Sequence, residues 1–128
     1  MVKAVFLKMV QEELDSLRKN VTKEELNDLD FKSLDVEQED CCIYGQMTGR
    51  CDSERAKELY PKVFYGINKE AVDYWRVVRY FPFSKHSFIE GNNYTALEKY
   101  LFMVKEPQHK KVINYLKGEL SEIKLWKN

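Results

Sequence analysis

From the first residues the apolar positions keep helical time. Val2, Val5, Phe6, Met9, Val10, Leu14, Leu17 and Val21 recur at steps of mostly three and four, the stripe of an amphipathic helix, while Lys8, Glu12, Asp15 and Lys19 fall on the opposite face for water. A second helix starts at once. Thr22 can cap it, Glu25 stands three residues on as the reciprocal partner, and Val21 with Leu26 are spaced as a hydrophobic staple; the pattern fades by Asp30. Phe31, Leu34 and Val36 then alternate irregularly with acids up to Asp40.

Residues Cys41 to Cys51 read Cys-Cys-Ile-Tyr-Gly-Gln-Met-Thr-Gly-Arg-Cys, with two glycines four apart, and are expected to form a structured loop. Asp52 or Ser53 caps a helix carrying Ala56, Leu59 and Tyr60, with Pro61 as its kink or stop and Gly66 as a further break. Asn68 caps the next expected helix, which carries Ala71, Val72, Tyr74, Trp75 and Val78 and ends at Pro82. Tyr74 to Phe83 is aromatic and β-branched enough to be a strand instead. Phe83 to Asn93 reads as a loop. Thr95 and Glu98 form a second capping box ahead of Leu97, Tyr100, Leu101 and Val104, and Pro107 suits the first turn of a helix whose Val112, Ile113 and Leu116 face inward and whose end is Gly118. Ile123, Leu125 and Trp126 would dock as a last turn or a short edge strand. The expected fold is mainly α: one domain, a compact bundle of about five short helices around Phe6, Val10, Leu14, Leu26, Leu59, Trp75, Val78, Leu97, Leu101, Ile113 and Leu116, with room for a small β element near Tyr74 to Phe83 or at the C-terminus.

Composition narrows the class of protein. A chain of 128 residues, few of them glycine or proline, can bury a core without crosslinks. No apolar run approaches the roughly 20 residues of a membrane span, and the lysines at 3 and 8 argue against an export signal. The odd cysteine count suits a reducing compartment, so a cytoplasmic location is expected. Net charge is zero, yet residues 1–40 hold six Lys/Arg against eleven Asp/Glu and residues 61–128 hold twelve against seven. Two such halves either attract each other within the fold or steer a partner.

Four kinds of chemistry can be weighed on the remaining residues. Cys41, Cys42, Cys51, His86 and His109 supply enough donors for zinc but lack paired spacing, so no metal or other cofactor is expected. Cys51, before a capped helix, could be a nucleophile, but neither histidine lies in a catalytic motif, and no enzymatic activity is expected. Gly45, Thr48, Gly49 and Arg50 could present amides and a guanidinium to an anion, without the Gly-Lys-Ser/Thr ending of a phosphate loop. Arg76, Arg79, Lys85, Lys99, Lys105, Lys110, Lys111 and Lys117 interleave with Tyr74, Trp75, Tyr80 and Tyr100 as in a nucleic-acid binder, but the neutral pI and acidic first third oppose that. Protein binding fits best, because 17 aromatics in a small chain supply the residues that dominate interfaces. The expected surface is Tyr44, Gly45, Gln46, Thr48 and Arg50 together with Arg76 and Arg79.

The run from Cys42 to Ala56 resembles a stretch found in small uncharacterised proteins of bacteriophages and mobile elements, and Tyr94 to Gly118 is similar to a second stretch of the same group. The two cover under half of the chain. The resemblance implies no activity. It implies an accessory protein that binds a host or phage protein, one form being an anti-CRISPR-like inhibitor of a host defence nuclease.

Overall fold

The computed structural model describes residues 2–35, 38, 40–59 and 95–125, and among them the chain is helical, without strands. The six helices are α1 (Val2–Asn20), α2 (Lys23–Asn27), α3 (Ile43–Thr48), α4 (Glu54–Leu59), α5 (Ala96–Met103) and α6 (Glu106–Leu116). None is long and apolar enough to cross a membrane. The expected helix from Asn68, the helix-or-strand at Tyr74 to Phe83, the loop to Asn93, the breaks at Pro61 and Gly66, and Trp75, Val78 and Trp126 lie outside the described residues.

Helix α1 is the central element, packing on α5, α6 and α4. Its stripe is buried as the periodicity predicts: Phe6, Met9, Val10, Leu14 and Leu17 join Leu59, Leu97, Leu101, Ile113 and Leu116 in one hydrophobic cluster. Burial of such side chains stabilises the fold by about 1.5–3 kcal/mol each. Leu26 is only half-buried at its margin.

Capping residues set the helix ends. Both predicted capping boxes form, Thr22 with Glu25 and Thr95 with Glu98. Ser53 rather than Asp52 caps α4, its hydroxyl accepting the Ala56 amide at 3.1 Å. Pro107 sits in the first turn of α6, and Gly118, at φ 79°, follows its last turn.

Two expectations are corrected. The stretch from Cys41 to Cys51 is a helix through its middle. Cys42, whose sulfur accepts the Gly45 amide at 3.3 Å, acts as N-cap, and Ile43, Tyr44 and Met47 bury one face. That burial outweighs the roughly 1 kcal/mol that Gly45 costs inside a helix. The tail over 120–125 is neither helix nor strand; it lies along the C-terminal pair, with the Tyr100 hydroxyl donating to the Leu125 carbonyl.

Two lysines near the C-terminal end touch the segment that follows α2. Lys117, the C-cap of α6, donates to the Leu29 carbonyl at 3.4 Å, and the Lys110 ammonium stands 5.7 Å from the centre of the Phe31 ring. Both lysines remain exposed.

Candidate functional site

Sequence reasoning placed the site at 44–50, and the structure divides those residues between interior and surface. Tyr44 and Gly45 are buried. The Gln46 side chain is committed to Asp30, accepting its amide at 3.0 Å and donating to its carbonyl at 2.9 Å. Thr48 donates to the Tyr44 carbonyl at 2.7 Å and accepts from Ser53 at 2.8 Å, which joins α3 to α4. Only Arg50 of the five is exposed; its Nε bonds Asp52 at 3.0 Å, and it lines an open depression with Gln38, Asp40 and Gly49. Arg76 and Arg79 lie outside the described residues. Two of the amides that an anion would need are already taken, that of Gly45 by the Cys42 sulfur and that of Gly49 by the Gly45 carbonyl at 2.8 Å.

The strongest polar constellation is in the core, on residues the sequence reading did not single out as a site. Glu13 of α1 is fully buried. Its Oε2 accepts the Tyr44 hydroxyl at 2.6 Å and its Oε1 accepts the Leu97 amide at 2.9 Å, while Thr95 adds a side-chain hydrogen bond. One carboxyl thus ties α1 to α3 and to the first turn of α5, where a negative group is favoured by the helix dipole. Burial dominates all the same. Opposed by these donors and helped by the neighbouring Glu98 charge, it pushes Glu13 up to about 7.

Glu98 extends the constellation. It accepts the Thr95 amide at 2.9 Å, Cys42 is hydrogen-bonded to it, and burial raises it to about 6. Beside it, Lys99 is 1% exposed, and burial lowers it to about 8 against the pull of Glu98. Lys99 and the equally buried Tyr100 are therefore unavailable to the nucleic-acid surface that sequence spacing suggested.

Cys41 and Cys42 do not have the electropositive setting of a nucleophile. Burial pushes the Cys42 thiol up to about 12, and burial with the Asp40 and Asp35 carboxylates raises Cys41. The His109 ring bonds the Leu101 carbonyl at 2.7 Å, and His86 lies outside the described residues. Among the described residues no three of His, Cys, Asp and Glu are grouped to hold a metal ion.

A signal for Glu13 was present in the sequence. Met9, Glu13 and Leu17 follow one another at steps of four, so the acid stands on the apolar stripe. Compared with protein families, curated proteins and solved structures, the chain finds no match.

Proposed function

We propose that this chain is a non-enzymatic accessory protein that acts by binding another protein. The observation that carries the reading is where the reactive chemistry sits. Among the described residues, the buried groups with strongly altered proton affinities, Glu13, Glu98, Lys99 and Cys42, lie in the core, where Glu13 joins α1 to α3 and α5 and Cys42 bonds Glu98. The surface around Arg50 mixes a guanidinium, an acid and an amide in an open depression. Mixed charge of that kind suits a protein rim better than a phosphate chain.

In its sharper form the reading makes the chain a phage or mobile-element protein, on the resemblance at 42–56 and 94–118, and its partner a host nuclease of a defence system. The test is an affinity capture from host lysate, with and without nuclease treatment, using the wild type and Arg50→Glu. One stoichiometric protein that survives nuclease treatment and is lost with Arg50→Glu supports protein binding through this face. Full activity of the captured enzyme in the presence of excess chain removes the inhibitor reading. Partners that vanish with the nucleic acid replace the proposal with nucleic-acid binding by the basic end.

A further inference from the structure

Cys42 and Cys51 stand at opposite ends of α3 in sequence, yet their side chains are in hydrogen-bond contact. The turn after α3 brings them together. Gly49, at φ 97°, reverses the chain, and the Ser53–Thr48 hydroxyl bond holds the returning segment. The two sulfurs differ in access: Cys42 is 1% exposed and also contacts Glu98, whereas Cys51 is half-buried and reaches solvent. Cys41, although adjacent to Cys42, is hydrogen-bonded to Asp40 instead.

We propose that Cys42 and Cys51 form a dithiol modification site, at which a hydroperoxide oxidises the pair to an intramolecular disulfide that fastens the two ends of α3. Cys51, the accessible sulfur, attacks a peroxide oxygen as its thiolate. The O–O bond breaks, the departing oxygen takes up a proton as water (or as an alcohol from an organic peroxide), and Cys51 becomes a sulfenic acid. The Cys42 sulfur then attacks the Cys51 sulfur, the S–S bond forms, and the sulfenic hydroxyl leaves as a second water with the Cys42 proton, for which the contacting Glu98 carboxylate is the nearby acceptor. The protein loses two protons and two electrons, and the peroxide takes up both. Burial disfavours the Cys42 thiolate, which assigns it the resolving role.

The reduced full-length chain would be treated with stoichiometric hydrogen peroxide, alkylated, and read by intact mass and by mass spectrometry of unreduced peptides. The expected result is loss of two of the three alkylatable thiols, a mass lower by two hydrogen atoms, a Cys42–Cys51 linked peptide, and full reversal by dithiothreitol. Cys41→Ser should leave this result unchanged, and Cys51→Ser should abolish it. Cys42→Ser should leave a sulfenic acid at Cys51 that a dimedone probe captures. Because Cys42 caps a buried helix, the Cys51→Ser arm decides the matter if Cys42→Ser does not fold. A Cys41–Cys51 link, disulfides only between molecules, or three thiols that stay alkylatable would each overturn the proposal.

Discussion

The two capping boxes share one local geometry and differ in almost everything else. At Thr22 and Thr95 alike, the hydroxyl accepts the amide three residues on and the Glu at that position accepts the cap amide. Around Thr22 the box is exposed, and Arg55 grips Glu25 through Nε at 2.8 Å and a second nitrogen at 2.9 Å while also donating to the Asn20 carbonyl. The Arg55 hydrogen bonds are the main reason that Glu25 falls to about 2. Around Thr95 the box is buried against Glu13, and burial is the main reason that Glu98 rises to about 6. A capping motif sets backbone geometry; whether its carboxyl is an anchor for a cation or a strained buried acid is decided by what packs over it.

The largest test removes the acid that distinguishes the second box. Glu13→Ala leaves the Tyr44 hydroxyl and the Leu97 amide buried without their acceptor. The loss should be about 3 kcal/mol or more, read as a lowered urea midpoint. If the midpoint hardly moves, the comparison fails at its centre. Next, Thr95→Ala should cost about 2 kcal/mol and Thr22→Ala about 1 kcal/mol, because only the buried box loses its bonds where water cannot replace them. Equal losses would mean that burial adds nothing to a cap.

Acidity separates the boxes in sign. Glu13 and Glu98 rise from 4.5 to about 7 and about 6, so the folded state holds their protons more tightly than the unfolded chain does. Their contribution is complete below 4.5 and is lost as pH rises through 6 and 7. Glu25, lowered to about 2, contributes above 4.5 and loses that contribution as pH falls toward 2. Lys99, lowered from 10.5 to about 8, contributes above 10.5 and loses that as pH falls through 8. Urea midpoints should therefore decline between about pH 5 and about pH 8, and Glu13→Gln should flatten most of the decline. A flat wild-type profile would refute the assignment. The smallest effect is expected from Arg55→Ala, below about 1 kcal/mol because the guanidinium is over a third exposed, with the Glu25 carboxyl returning toward 4.5 by NMR titration.

The mainly α architecture could be read from the sequence because its signals are local. Thr22, Thr95, Ser53, Pro107 and Gly118 each act within a few residues of the backbone they shape. Helix α3 was hidden because its cap is a thiol, its interior holds a glycine, and its stability comes from burying Ile43, Tyr44 and Met47 against distant elements. The buried polar centre was hidden for the same reason. Periodicity shows that Glu13 stands among apolar residues, but not that Tyr44 and Leu97 will meet it.

One carboxyl needing partners from residues 44 and 97 also has a consequence for how the chain is made. Synthesis runs from the N-terminus, so Glu13 leaves the ribosome long before the amide at 97 exists. Until then burying its charge would leave it without the donor at 97 that helps offset the cost. The dry form of this carboxyl therefore belongs to the finished chain, in which the donors of residues 44 and 97 are both present.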